Sequence, residues 1–362
     1  MDLYKRLCYI IINNVYKKWG GIIKKLKRRR KEWLDKKCRK TLRNRTAKNK
    51  QRRRNTGHSP KQFNNEYATI DKTKNRYTAL APKNLSIRDN YDETISYFNG
   101  IFLDMREKHV GRIYNFDIKD VKNLTNDALM YILAIVHNIK KRSVYNFGFE
   151  GNMPDDPEAL RLFKESGFLN YMNTRVNSIE PTNEKLQIVS GKNTQSPSAK
   201  DIVDFARILK TKEQKRKLKA LYRVLVELMS NTGTHAYNDT GIMRKNWYVF
   251  AEYIGDRIKF VFLDTGQGIP ATMKRKGIRE LLGWKSDEGL ILATLKERFR
   301  SQTGQTNRGY GLPGTYKICK EGLLEKFTVI SGRGRCEINV DEDRTIRLPK
   351  QIYGTLFYWE IS

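Results

Sequence analysis

Three short stretches in the last third of the sequence carry residue types that could do chemistry. In the first, Glu227, Asn231 and His235 recur every four residues. On a helix that spacing places all three along one edge. A carboxylate and an amide oxygen one turn apart can hold Mg2+, a hard cation that prefers oxygen and keeps several waters. The same carboxylate could orient or deprotonate a water. A solvated polar face has the same spacing, so the triplet alone does not decide. In the second stretch, Asp264 is followed by Gly266, Gly268, Ile269 and Pro270. An acidic acceptor beside glycines, where the backbone turns sharply or approaches a ligand, could take a hydrogen bond from an exocyclic amine. An ordinary turn after a strand would look the same. The third stretch runs Arg308-Gly309-Tyr310-Gly311-Leu312-Pro313-Gly314. Glycines before a helix let an anion approach the N–H groups at its N-terminus. No Gly-Lys-Ser/Thr follows, which excludes a Walker A loop, and no suitably spaced strand leads in, which excludes a dinucleotide fingerprint.

The elements that must position these residues are legible around them. Leu221, Leu225 and Leu228 recur at helical spacing with Val224 beside them, predicting a helix over 218–235. Residues 247–254 and 257–263 are rich in aromatic and β-branched side chains, with Gly255-Asp256 between them, predicting a hairpin whose second strand ends at Asp264. A helix is expected over 314–321, and strands over 323–331, 344–348 and 353–361, with Gly354-Thr355 opening the last. Between the second and third stretches lies a polar, basic segment, 271–307, containing an expected helix at 288–300. A connection of that length is expected to be functional or mobile.

In this order, at separations of about 30 and 40 residues, the three stretches resemble the N, G1 and G2 boxes of the GHKL ATPases, a superfamily that includes gyrase-type topoisomerases, heat-shock chaperones, mismatch-repair ATPases, histidine kinases and anti-sigma-factor serine kinases. The resemblance covers residues 200–362. It implies a Bergerat-type α/β sandwich, a mixed sheet with helices on one face, that binds ATP with Mg2+. By the resemblance Glu227 is the general base and, with Asn231, a Mg2+ ligand, while Asp264 reads the adenine amino group. Asn231, His235, Gly266, Gly268, Ile269, Thr303, Arg308, Gly309, Gly311 and Leu312 complete the nucleotide site. The 271–307 segment takes the place of the family's ATP lid, with Arg298, Arg300, Thr303 and Arg308 as candidate phosphate contacts. Pro313 stands where many relatives have glycine; it stiffens the turn and removes one N–H from the cradle.

Upstream, residues 76–180 read as a small α/β domain. A strand at 113–118, an apolar helix at 124–139 capped by Thr125 or Asn126, a strand at 143–149 and a helix at 154–166 ending at Gly167 imply a parallel pair with a right-handed crossover. The run, including Gly151-Asn152-Met153-Pro154 and Ser166-Gly167-Phe168, resembles the STAS-like domains that accompany some bacterial GHKL proteins. No catalytic constellation stands out, which points to a regulatory or partner-binding role. His137 lies on the apolar helix and is expected to be a satisfied, partly buried side chain. Residues 181–200 read as a linker, part of which could pair as a strand with the domain that follows. The fold expected overall is thus α+β.

Residues 1–54 contain 22 Lys or Arg against 3 Asp or Glu, which is +19 of the chain's +32. Such density repels itself unless a polyanion neutralises it. Residues 1–75 are therefore read as a basic arm, an amphipathic helix over 3–31 and then disorder. Nucleic acid, bound through its phosphates with little sequence preference, is the expected partner. A basic helix lying on an anionic membrane is the rival. The apolar run 8–12 is far too short to span a bilayer and no signal-peptide cleavage site is evident. Cys8, Cys38, Cys319 and Cys336 lack the pairing of a zinc or disulfide framework, which points to a reducing cytoplasm.

The superfamily supports several outputs. A histidine kinase carries a phosphoacceptor histidine just upstream, and residues 201–221 contain none. Topoisomerase, chaperone and repair types carry a transducer after the ATPase core; the sequence ends at Ser362, so such machinery is expected on another protein. An ATPase switch acting with nucleic acid or a protein partner is the preferred reading. An anti-sigma-type serine/threonine kinase regulating a STAS-domain partner, and a non-hydrolysing ATP sensor at an anionic membrane, are the alternatives. A homodimer is open.

Overall fold

The computed structural model describes residues 67–107, 110–141, 147–172, 179, 184–191, 196–206, 212–234, 246–275, 286–296 and 311–362. Residues 65–362 form one compact unit. The expected N-terminal helix lies outside the described residues, but the start of the folded body comes earlier than residue 76. Strand β1 (Ala68–Asp71) pairs antiparallel with β2 (Arg76–Leu80).

Two short strands, β3 (Asn84–Leu85) and β5 (Asn123–Leu124), form a separate parallel pair. β4 (Ile113–Asp117) and β6 (Gly148–Gly151) join β1 and β2 in the first sheet, whose order is β1-β2-β4-β6. β2, β4 and β6 are parallel, as strand–helix–strand order requires. Helices α1 (Tyr91–Glu107) and α2 (Asn126–Lys141) contact this sheet. Helix α3 (Pro157–Glu165) is capped by Asp156, which accepts from the N–H groups of Glu158 and Ala159 at 3.0 Å. Pro157 fits the first turn, where its missing N–H has no intrahelical partner. Ser166 is the C-cap, one residue before the expected stop at Gly167, which follows at φ 76°.

β8 (Trp247–Ile254) and β9 (Arg257–Asp264) form the expected hairpin. β7 (Lys185–Gly191), from the expected linker, pairs with β8 at its edge. β10 runs Glu325–Ile338, and β11 is one strand, Asp343–Ile361, with Gly354-Thr355 in its interior instead of at its start. These five make the second sheet, of order β10-β11-β9-β8-β7 and antiparallel throughout. The mixed sheet expected for the C-terminal half is therefore absent there; the mixed sheet is the first one. Register shifts around Ser331–Gly334 absorb the bend of the long β10–β11 ribbon.

Both faces of the second sheet are buried, and strand alternation shows it. Trp247, Val249, Phe260, Phe262, Phe357 and Trp359 point into one core with helices α4 (Ser196–Phe205), α5 (Lys212–Thr234), α7 (Asp287–Lys296) and α8 (Gly311–Lys320). Tyr248, Phe250, Leu263, Ile330, Leu356 and Tyr358 point the other way, into a core shared with α1 and α2. Burial on two faces explains why β8, β9 and β11 read as near-continuous apolar runs. The layers are thus sheet, helices, sheet, helices. The helices expected on one face of the C-terminal sheet are present, and the upstream segment covers the other face.

Polar pins hold that inner layer. The Tyr358 hydroxyl donates to Asp127 at 2.7 Å, and Tyr131 donates to the Tyr353 carbonyl at 2.8 Å. His137 is partly buried, 2.9 Å from the Tyr248 hydroxyl and stacked on its ring, as the sequence predicts. Cys319 and Cys336 are buried free thiols, both pushed upward in pKa by burial. Among the described residues no helix is long and apolar enough to cross a membrane.

Candidate functional site

α5 contacts both the end of β9 and α8, which gathers the three sequence stretches around one helix. The helix forms because residues 212–232 contain no Gly or Pro and are rich in Leu, Lys, Arg and Glu. It begins six residues before the expected start. Leu218, Leu221, Val224, Leu225, Leu228 and Met229 are its buried face. Glu227 and Asn231 fall on the half-buried flanking edge, one turn apart.

Asp264 ends β9, in register with Trp247 on β8 and Thr355 on β11. Its Oδ1 accepts from the Gly266 N–H at 2.8 Å, and Thr232 of α5, whose hydroxyl donates to the Leu228 carbonyl at 3.1 Å, lies beside the carboxylate. These contacts favour the charged form, but loss of solvent outweighs them and pushes the pKa up to about 6. The loop behind it is tied by Thr265, whose hydroxyl donates to the Asn246 carbonyl at 2.9 Å and accepts from its N–H at 2.9 Å.

Two glycines here are required by sterics. Gly354 has φ 92°, and a Cβ added to it would lie 2.2 Å from the Asp264 carbonyl oxygen. Gly268 has φ 82°, and its Cβ would lie 2.8 Å from Ser331 Oγ and 3.0 Å from the Gly354 carbonyl oxygen. Ser331 is the hub of this packing. It accepts from the Ile269 N–H at 3.0 Å, donates to the Gly354 carbonyl at 3.0 Å and lies 2.9 Å from Thr355 Oγ1. Ile269 then starts α6 (Ile269–Arg275).

α8 starts at Gly311, three residues earlier than expected, so Gly311, Leu312, Pro313 and Gly314 form its first turn. Pro313 is tolerated there because the first N–H groups of a helix have no intrahelical acceptor. Gly311 has φ 43°, and its Cβ would lie 3.6 Å from Glu227 Oε1. Leu312 is half-buried and packs on the core, which holds the turn in place. Between α5 and α8 lies a cleft of about 200 Å³ lined by Arg223, Glu227, Gly311, Gly314, Thr315 and Lys317, among others. Two carboxylates, Glu227 and Glu321, two cations and a glycine-bearing helix N-terminus share it, with Lys317 paired to Glu321 at 3.9 Å. Such a cleft can accept an anion while Glu227 orients a water.

The structure therefore brings Glu227 to Gly311, and Asp264 to Gly266 and to α5. Gly268 and Ile269 lie against Ser331 beneath that loop. Asn231 lies on the same helix edge, outside the cleft lining. His235, Thr303, Arg308 and Gly309 lie outside the described residues, as do Arg298 and Arg300. Among the described residues no group of three or more His, Cys, Asp or Glu is placed to hold a metal. Glu227 and Asn231, the two Mg2+ ligands that the resemblance implies, lie one turn apart on α5.

Four residues escaped the sequence reading. Arg223 sits one turn before Glu227, a spacing that could have flagged it. Lys317 follows Gly314 by three, and Thr232 adjoins Asn231. Ser331 gave no signal, since it meets Gly268 only through the strand pairing. Comparison with protein-family models and with curated proteins returns no match for this chain.

Proposed function

We propose that the chain is a GHKL-type ATP-binding protein, a Mg2+-dependent ATPase switch that works with nucleic acid or a protein partner. One observation carries this reading. A single helix, α5, brings Glu227 against Gly311 of α8 and Thr232 against Asp264 of β9, so base-reading, phosphate-facing and hydrolytic candidates converge on it.

Asp264, held by Gly266 and flanked by Thr232, accepts from the exocyclic amine of adenine. The first turn of α8, with Gly311 and Gly314, faces the phosphates, and Arg223 and Lys317 supply positive charge beside it. Glu227 orients and deprotonates the attacking water. Asn231 and Glu227 hold Mg2+, which when bound neutralises phosphate charge.

Incubation with γ-labelled ATP and Mg2+ tests the reading: label released as inorganic phosphate supports the switch, and label on protein supports the kinase. Nucleotide binding without either outcome leaves the sensor. Absence of binding by calorimetry at millimolar ATP refutes all three.

A further inference from the structure

The edge of α5 that carries Glu227 does not stop at the cleft. Towards the helix start it continues through Arg223, Lys219, Arg216 and Lys215, all exposed and spaced three or four apart along the helix surface. Lys317 of α8, also exposed, flanks the row. From Lys215 to Arg223 the row extends about 12 Å along the helix axis.

This arrangement is unfavourable to the helix itself. Lys215–Lys219 and Lys219–Arg223 are like-charge pairs at i,i+4, each destabilising by a few tenths of a kcal/mol. Lys215 also lies in the first turn, where the helix dipole disfavours cations. A face that only needed water would mix its charges. Among the described residues Glu321 lies 3.5 Å from Arg216 and 3.9 Å from Lys317, and Glu227 follows Arg223 by one turn, whereas neither Lys215 nor Lys219 has an ion pair.

We propose that the exposed row Lys215, Arg216, Lys219 and Arg223 of α5 is a nucleic-acid docking surface that engages the phosphate backbone beside the cleft. A membrane fits it poorly. Interfacial helices insert an apolar face, and the apolar face of α5 is buried in the core through Leu218, Leu221, Val224 and Leu225. A narrow line of cations with no apolar flank matches a phosphate chain. This surface does not rest on the nucleotide reading, since Lys215, Arg216 and Lys219 lie outside the cleft.

The test uses the full chain, with fluorescence anisotropy on a labelled DNA duplex and a labelled single-stranded RNA from 50 to 200 mM salt. Lys215→Gln, Arg216→Gln and Lys219→Gln combined should weaken binding about tenfold or more at the upper salt. They should also lower the slope of log K against log salt by about 2 to 3, near 0.9 for each duplex phosphate no longer neutralised. Lys72→Gln, Lys74→Gln and Lys122→Gln remove the same charge from exposed sites elsewhere and should leave the slope unchanged. Thermal unfolding of the first variant should match or exceed the parent, because repulsion is relieved. An unchanged slope, an equal loss in both variants, or a lower melting temperature in the first overturns the proposal. So does loss of binding to phosphatidylserine vesicles with nucleic-acid binding intact.

Discussion

Asp264→Asn should stabilise the protein while abolishing its nucleotide response. In the fold, loss of solvent raises the Asp264 carboxyl from 3.8 to about 6. An acid whose pKa is raised on folding is neutral in both states below pH 3.8, so its ionisation then costs nothing. As pH rises through that value the unfolded chain ionises first and stability falls, until the folded group also ionises near pH 6. The loss at neutral pH is about 3 kcal/mol, from 2.2 units at 1.36 kcal/mol each. Asparagine keeps an oxygen for the Gly266 N–H and carries no charge, so most of that cost is relieved. Urea unfolding at pH 7.5 should show the variant more stable by up to about 3 kcal/mol with an unchanged m-value. At pH 4 the difference should largely vanish. In thermal scans the gain at pH 7.5 should be roughly 5 °C or more for a unit of this size. Saturating ATP with Mg2+ should stabilise the parent by about 2.7 kcal/mol at a hundredfold excess over Kd, raising its melting temperature, and leave the variant unmoved. A variant that is less stable, or a gap equal at pH 4 and 7.5, would refute the reasoning.

Glu227→Ala should retain ATP binding and lose hydrolysis by about a hundredfold or more, measured as phosphate release under saturating ATP. Adenosine, which carries no titrating phosphate, should bind more weakly as pH drops below 6, approaching tenfold per unit, because protonated Asp264 loses an acceptor; calorimetry from pH 5 to 8 checks this. Gly354→Ala should destabilise by about 3 kcal/mol or more and also weaken ATP binding, since its Cβ would overlap the Asp264 carbonyl; denaturant midpoints and ATP titration report both. Tyr358→Phe should cost about 1–2 kcal/mol through the missing bond to buried Asp127, with no direct effect on ATP affinity.

The sequence made the local elements of the site visible because their signals are local. The leucine spacing of α5, the Gly255 turn between β8 and β9, and the strand end at Asp264 each follow from neighbours in the chain. What it concealed depends on distant pairing. The sequence predicts separate strands at 344–348 and 353–361, with Gly354 opening the second, yet Gly354 is kept inside one strand by its contact with Asp264. β7 looked like linker because a polar edge strand has little apolar signal of its own. The two expected modules merged for a similar reason. An apolar face on α1 or α2 announces burial without saying against which sheet, and Tyr131 and Asp127 meet their partners in β11 more than 200 positions later.

That last strand has a consequence for how the protein is made. β11 is late in the sequence but interior to its sheet, between β10 and β9, and α1 packs on it. During synthesis the inner face of α1 waits for some 250 further residues before β11 can close it, while α2 meets β8 about 110 residues later and β11 only after more than 200. Contacts of such long sequence separation slow folding and leave apolar surface exposed to aggregation. The nascent chain should therefore depend on chaperones until β11 emerges, and any stall before residue 343 should leave an intermediate recognisable by its capture on a chaperone.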